Sequence, residues 1–458
     1  MNLSEYIENL KGKKLCVIGV GVSNTPLIEK LLKSGCDVTA CDKRTAEQLG
    51  DDYTRLEAMG AKFKLGEDYL DNLEFDVVFR TPGLMPFDAH LEEVRAKGGL
   101  VTSEMEVFFS LCPCRIIAIT GSDGKTTTTT IISELLKAQG YTVHLGGNIG
   151  HPLLCEVDEM CRDDFVVLEL SSFQLHSMNC RPNVAVVTNI SPNHLDKHKD
   201  YQDYIDAKSS IFAQQTEDER LVLNHENEYS EYYAESAKSA ISYFSRVYKP
   251  ENGVYSDSEK VYRVVNGREE IIMSIDDIKL PGTHNLENYM AAFAATEGLV
   301  DNDTCVRVAM SFNGVEHRLE RVRELNGVTY INDSIGTSPS RTAAGLHALK
   351  VKPILIAGGY DKHIPFDSLG DEICLNVKKL YLTGATAEKI AEAVRASKHY
   401  TDDFSMVIMD DFRETVIAAS EAAESGDIVL LSPACAAFDK FKNFMERGKF
   451  FKQIVMEL

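Results

Sequence analysis

The chain has 458 residues, 44% hydrophobic and 26% charged, which excludes a disordered or fibrous protein and provides for about three domains of ordinary size. With 48 basic and 70 acidic side chains it carries a net charge of −22, a field that disfavours nucleic acid and anionic membrane surfaces as partners. Eleven scattered cysteines without a repeated CxxC spacing, no signal-peptide pattern, and no run near the ~20 apolar residues of a membrane span predict a cytoplasmic protein with free thiols.

The first block opens on an apolar strand over residues 14–19, then a helix over 24–33, a strand over 37–41 and another over 75–79. This is a Rossmann-like opening. Its first turn contains Gly19, Gly21, Val22, Ser23 and Asn24, the dinucleotide fingerprint with Asn24 where Gly or Ala is usual. Asp42 ends the second strand, 21 positions past Gly21, where a carboxylate can bond a ribose hydroxyl. Two readings stay open there, a site for a nucleotide diphosphate and a purely structural tight turn. Oxidoreduction with NAD is disfavoured by the missing last glycine and by a second nucleotide site downstream.

That second site starts with a strand over residues 115–119 and continues through Gly121, Ser122, Asp123, Gly124, Lys125, Thr126 and Thr127 into a helix reaching about residue 139. Glycines let backbone N–H groups curl around an anion, and the helix start adds about half a positive charge. Lys125 supplies a cation for terminal phosphates, and the Thr126 hydroxyl suits Mg²⁺. Only two residues separate the glycines where the common P-loop has four, so the match is to a shortened variant.

Further strands are predicted over 165–170 and 184–188, then a less regular stretch over 220–279 and a helix over 286–299. Glu169 ends the first of these beside Ser171, either as a Mg²⁺ ligand or as an ordinary surface acid. His194 and His198 stand four apart, but Pro192 and the lack of an adjacent Glu argue against a zinc helix. A metal-linked or substrate-polarising role for His194 and a structural one both stay open. Lys208 reads by itself as a solvated helix lysine. Asn285 and Asn288 suit purine or metal-water hydrogen bonds, with a helix cap as the alternative for Asn285.

The third block begins near residue 315, with strands over 328–331, 353–357, 379–382 and 427–431, a helix to 349 and an amphipathic terminal helix. Arg318 can reach a γ-phosphate and Asp333 a ribose. The expected fold is α/β in three domains. These are a Rossmann-like domain over 1–104, a central P-loop ATPase-like domain with a mostly parallel sheet over 105–314, and a Rossmann-like α/β domain over 315–458.

The strings TGSDGKTT, GGNIG, LELSSFQL, NISPNHLD, GTHNLEN, HR, NDS, GGYDK and LLSPACAAFDKFKNFMERG together resemble the Mur ligase family across essentially the whole chain. LELSSFQL and SPACAAFD are similar to the branch that adds D-glutamate, and the DNPR-type motif of the lysine or diaminopimelate adder is absent. The resemblance implies an ATP-dependent amide ligase of peptidoglycan synthesis, a monomer that joins UDP-N-acetylmuramoyl-L-alanine to D-glutamate through an acyl phosphate. Other ligases of the superfamily, and a nucleotide-binding regulatory ATPase, are the competing readings.

The same resemblance implies two Mg²⁺ ions, one on Thr126 and Glu169, the other on His194 and a carbamylated Lys208. It gives Lys125, His194, Lys208 and Arg318 catalytic roles, and ATP to residues 121–127 with Asn285, Asn288, Arg318 and Asp333. Gly21, Val22, Ser23, Asn24, Asp42, Lys43, Thr81, Pro82 and Gly83 would take the UDP part and Asn148 the muramoyl region, with Ser171 a further substrate-binding residue. Thr337, Lys362, Ser432 and Phe438 would take D-glutamate. Three departures stand out: Ile335 and Asn193 occupy positions where relatives carry Lys and Asp, and Asp123 replaces a frequent Asn.

Overall fold

The computed structural model describes residues 1–192, 197–280, 282–361 and 364–458. The chain divides into two compact units, Met1–Phe312 and Asn313–Leu458. Among the described residues the first unit holds two sheets and the second unit one.

In the first sheet the order is Lys62–Leu65, Asp37–Asp42, Lys14–Ile18, Val77–Phe79, Leu100–Thr102, all parallel. Lys14–Ile18 is buried from its second residue onward, as expected for a central strand covered on both faces. Strand order reverses between Lys14–Ile18 and Val77–Phe79, so the crevice of this sheet opens at their carboxyl ends. Residues 19–24 and 80–83 sit there. The two edge strands have no apolar run to mark them in the sequence.

The second sheet has nine strands. Its parallel part runs Ala240–Ser245, Arg220–Asn224, Val184–Val187, Arg115–Thr120, Phe165–Glu169, Val143–Gly147. Residues 220–279, expected to be less regular, extend it: Gly253–Ser256 adds in parallel, and Lys260–Val265 with Arg268–Ser274 add as an antiparallel hairpin. Asn266 and Gly267 close that hairpin with φ of 50° and 72°, the left-handed pair that a two-residue turn of matching twist requires. Helices Lys125–Gln139 and Thr283–Ala295 pack on one face through Ile131, Leu135, Tyr289 and Phe293.

In the second unit the order is Glu320–Leu325, Val328–Asn332, Ile428–Leu431, Ile354–Ala357, Lys379–Leu382, Met406–Ile408, antiparallel only at the first pair. Each face carries its own core. Phe451, Ile454 and Val455 of the terminal helix Phe444–Glu457 join Phe412 and Val416 on one side, and Leu369, Ile373 and Ile390 line the other.

Gly253 has φ of +136°, and a β-carbon there would stand 1.8 Å from the Tyr243 carbonyl oxygen. Gly253→Ala is therefore expected to unpair this strand and destabilise the first unit by about 2 kcal/mol or more, read by urea denaturation. An unchanged midpoint would contradict this strand pairing.

Candidate active site

The loop between Arg115–Thr120 and Lys125–Gln139 is shaped by what cannot fit beside it. A β-carbon on Gly121 (φ +145°) would meet Thr188 Oγ1 at 1.9 Å, and one on Gly124 (φ +77°) would meet Asn288 Oδ1 at 2.4 Å. Neighbouring strand ends hold the loop by its own polar atoms. Ser122 N–H donates to Asn189 O, Asp123 N–H donates to Asn189 Oδ1 (2.9 Å), and Thr188 Oγ1 donates to Asp123 O. Ser122 Oγ is fixed by Ser191 O and by the Tyr204 hydroxyl (2.8 Å). Asp123, one of the departures noted in the sequence, thus contributes its backbone to this lock while its side chain stays exposed.

Lys125 Nζ folds back on the loop and donates to the Gly121 and Ser122 carbonyls at 2.9 and 2.8 Å. Lys208 reaches the same Gly121 carbonyl at 2.7 Å and Thr120 Oγ1 at 3.3 Å. It is not a solvated lysine: helix Tyr201–Ser209 turns it inward and leaves it 2% exposed. Burial, then the charge of Lys125, holds its ammonium well below the usual lysine range against the pull of Glu169 and Asp123.

Glu169 lies at the end of a fully buried strand, 2% exposed. Thr126 Oγ1 donates to its Oε2 and Asn148 Nδ2 to its Oε1, both at 2.7 Å. Carboxylate and hydroxyl oxygens are the hard donors that Mg²⁺ takes. Thr128 Oγ1 donates to Asn288 Oδ1, and Asn288 Nδ2 to Asn285 Oδ1, so this amide pair backs the loop from helix Thr283–Ala295. Thr127 is half-buried on the first helical turn.

His194 and Asn193 lie outside the described residues, as does Lys362. His198, paired with His194 in the sequence, is buried and bonded to Ser172 Oγ (2.9 Å) and Asp203 Oδ2 (2.8 Å), while Asp203 Oδ1 takes His176 (2.9 Å). These bonds tie helix Tyr201–Ser209 to Ser172–Leu175, whose cap is Ser171.

The switch point of the first sheet opens into a cleft of about 170 Å³ lined by Val22, Ser23, Asn24, Pro82 and Asn148, with Gln174 beside them. Five of the residues expected to touch substrate thus share one cavity. Gly19 (φ +92°) lies against Thr81, where a β-carbon would approach to 3.1 Å. Asn24, the fingerprint's odd residue, donates from Nδ2 to the Ile18 carbonyl (2.8 Å), a bond no Gly or Ala makes. Asp42 is spent locally: it accepts from the Val20 N–H and from the backbone and guanidinium of Arg44, which hold its carboxyl below the usual range against burial. Gly21, Lys43 and Gly83 are exposed on the same rim.

In the second unit the strand ends converge on Asp333. Its Oδ2 accepts from Ser432 Oγ (2.7 Å) and its Oδ1 from the Leu319 N–H (3.2 Å). Burial pushes this carboxyl up to about 6. His317 and Leu319 flank exposed Arg318 with φ of 65° and 43°, left-handed conformations uncommon for such side chains and often found at functional loops. Thr337 follows the Asp333 turn, and Phe438 is 62% exposed against Tyr360. Arg447, unassigned from the sequence, is buried and donates to Ser334 Oγ, Ser334 O, Cys435 O and Ala436 O. It clamps the 432–438 loop onto the Asp333 turn; only its place in the long terminal motif signalled it.

Comparison with known proteins gives the family. Residues 119–296 match the model of the Mur ligase middle domain, and 317–435 that of the Mur ligase glutamate ligase domain. A UDP-N-acetylmuramoylalanine–D-glutamate ligase of Ruminiclostridium cellulolyticum is 50% identical over 461 residues, covering 100% of this chain and 99% of the relative. The UDP-N-acetylmuramate-alanine ligase MurC of Thermotoga maritima shares the fold with a TM-score of 0.56 at 16% identity, over 97% of this chain and 99% of that one. MurF ligase of Thermotoga maritima, solved in complex with ADP, gives 0.51 at 16% identity over 98% and 97%. The chain belongs to the Mur ligase family.

Asp333 binds its proton more tightly folded, at about 6, than unfolded, near 3.8. The native state therefore holds more protons between these values, and stability falls as pH rises through them, by about 3 kcal/mol for a two-unit difference. Asp333→Asn is expected to remove that slope and raise the denaturation midpoint at pH 7.5. An unchanged slope between pH 4 and 6 would contradict the buried carboxyl.

Proposed function

We propose that this protein is the ATP-dependent ligase that forms the amide between UDP-N-acetylmuramoyl-L-alanine and D-glutamate in peptidoglycan synthesis, acting in the cytoplasm as a monomer. The observation that carries the reading is the meeting of Lys125 and Lys208 on the Gly121 carbonyl beside Glu169, in a chain matching D-glutamate ligases over its full length. Among the described residues no helix is long and apolar enough to cross a membrane.

In this reading ATP lays its β- and γ-phosphates on residues 121–127. Loop N–H groups and Lys125 offset the charge that spreads over the transferring phosphoryl group. The alanyl carboxylate attacks the γ-phosphorus, the bond to ADP breaks, and an acyl phosphate forms. The uncharged amine of D-glutamate then adds to the acyl carbon, loses its proton, and expels phosphate to leave the amide. Thr126 and Glu169 would hold one Mg²⁺, with His194 and Lys208 serving a second; bound there, the ions screen carboxylate from triphosphate. Asn148 orients Glu169 through its 2.7 Å bond.

Lys208 fits the carbamylation that the family implies, because burial favours the neutral amine, the form whose nitrogen adds to CO₂ with loss of one proton. The rim residues Gly21, Val22, Ser23, Asn24, Asp42, Lys43, Thr81, Pro82 and Gly83 are assigned to the UDP part, Asn148 to the muramoyl region, and Ser171 to substrate binding. In the second unit Arg318 and Asp333 are assigned to the nucleotide, as Asn285 and Asn288 are in the first. Thr337, Lys362, Ser432 and Phe438 are assigned to D-glutamate.

The test is ADP release by purified protein, which should require both UDP-N-acetylmuramoyl-L-alanine and D-glutamate and fail when lysine or diaminopimelate replaces D-glutamate. Lys125→Ala should lower that rate by roughly 10² or more without changing the fold. Near-normal turnover in the variant would remove the phosphate role, and ADP release indifferent to the muramoyl substrate would remove the ligase reading.

A further inference from the structure

Two buried charged side chains on the wall of the first-unit cleft remain unused by the reaction above. Arg80, 1% exposed, follows strand Val77–Phe79, and Glu104, 7% exposed, opens helix Glu104–Leu111. Both line the 170 Å³ cavity that also holds Asn24, Asn148 and Gln174. Neither has an ion-pair partner among the described residues, although an isolated buried charge is among the costlier features a fold can keep.

Arg80 spends part of its five-donor fork on the Leu84 carbonyl (3.1 Å), the Phe173 carbonyl (3.1 Å) and Ser177 Oγ (2.6 Å). Ser177 Oγ donates in turn to Glu106 Oε1 (2.8 Å), so the guanidinium is held in place without being neutralised by direct contact. Glu104 accepts one bond, from the Leu154 N–H to Oε1 at 3.0 Å, and burial pushes its carboxyl up to about 7. Asn24 Oδ1, on the same cavity, is buried with no partner. A donor fork, a carboxylate with one of its oxygens bonded and an unpartnered amide oxygen thus share a cavity lined from residues 22–24 of the nucleotide turn to Asn148, the residue bonded to Glu169.

A group passing along this route meets, in order, the turn that would hold the nucleotide and the carboxylate beside the phosphate loop. Between those ends the proposed substrate carries its acyl part, whose polar groups include two amides, the sugar acetamido group and the lactoyl–alanyl link. An amide presents one acceptor oxygen and one donor N–H, the complement of a guanidinium and a carboxylate.

We propose that Arg80 and Glu104 are the specificity residues that read an amide of the muramoyl-L-alanyl portion, Arg80 donating to its carbonyl oxygen and Glu104 accepting from its N–H. The inference rests on the function proposed above. Partnering completes the hydrogen bonding of both side chains only when the acyl part is present, so they discriminate between a nucleotide alone and a nucleotide carrying that part. A site built to bond a polar group rejects the ligand lacking it far more strongly than an apolar pocket rejects a missing methylene.

Calorimetric titration of the full chain with UDP, UDP-N-acetylglucosamine and UDP-N-acetylmuramoyl-L-alanine tests this on wild type, Glu104→Gln and Arg80→Lys. Glu104→Gln is isosteric and can keep the Leu154 bond through its amide oxygen while turning a donor toward the cleft. The expected result is a loss of about tenfold or more in affinity for UDP-N-acetylmuramoyl-L-alanine in each variant, with UDP unchanged within about twofold. Weakened UDP-N-acetylglucosamine binding assigns the acetamido amide, and spared binding the alanyl one. Equal weakening of all three ligands, or unchanged affinity for the full substrate in Glu104→Gln, overturns the proposal even if Arg80→Lys does not fold. A wild-type chain that fails to bind the full substrate overturns the functional reading itself.

Discussion

Two ammonium groups, those of Lys125 and Lys208, converge on the single carbonyl oxygen of Gly121. In a chain of net charge −22 the two lysine nitrogens meet at the phosphate loop beside Glu169, and the catalytic account depends on that convergence. Like charges repel, so the arrangement requires two further conditions. Glu169 must lie close enough to offset them, and burial must hold Lys208 toward its neutral form. The first follows from strand order, because Phe165–Glu169 pairs directly with Arg115–Thr120 and ends at the same level, and the second from helix Tyr201–Ser209, which turns Lys208 inward.

The parallel sheets turn this local chemistry into a site. Turns at carboxyl ends carry the groups, and the interior strands beneath them are closely covered on both faces. Glycine appears where backbone must approach backbone or side chain, as at Gly253 against the Tyr243 carbonyl and at Gly121 against Thr188. The second unit uses another device. Arg447 bonds four acceptors from two loops, and burial lowers its guanidinium to about 10. Asp333 likewise stays buried with a raised pKa, so both residues keep a local cost to stability in exchange for a fixed geometry.

Much of the fold was legible because central parallel strands are continuous apolar runs and their turns carry glycine. Residues 14–19, 115–119, 165–170 and 353–357 all follow that rule. Edge strand Lys62–Leu65 escaped it, since a strand half open to solvent need not be a continuous apolar run, and Met406–Ile408 is apolar but only three residues long. The hairpin closed by Asn266 and Gly267 did carry its signal, an Asn-Gly pair between alternating residues, although the surrounding stretch lacked periodicity. The phosphate loop was readable from spacing alone. Lys208 was not, because helical spacing places a lysine on a face without saying which face is covered. Arg80 and Glu104 left no pattern at all, since their meeting depends on how two separate strand ends and a helix start approach one cavity.

The central claim is that residues 121–127, with Lys125 and Glu169, grip a magnesium-bound triphosphate. Isothermal titration of the intact chain with ATP, in the presence and absence of Mg²⁺, measures this directly. The account requires saturable uptake of one ATP per chain that strengthens when Mg²⁺ is added. No measurable heat of binding with Mg²⁺ present, or binding indifferent to the ion, would contradict it.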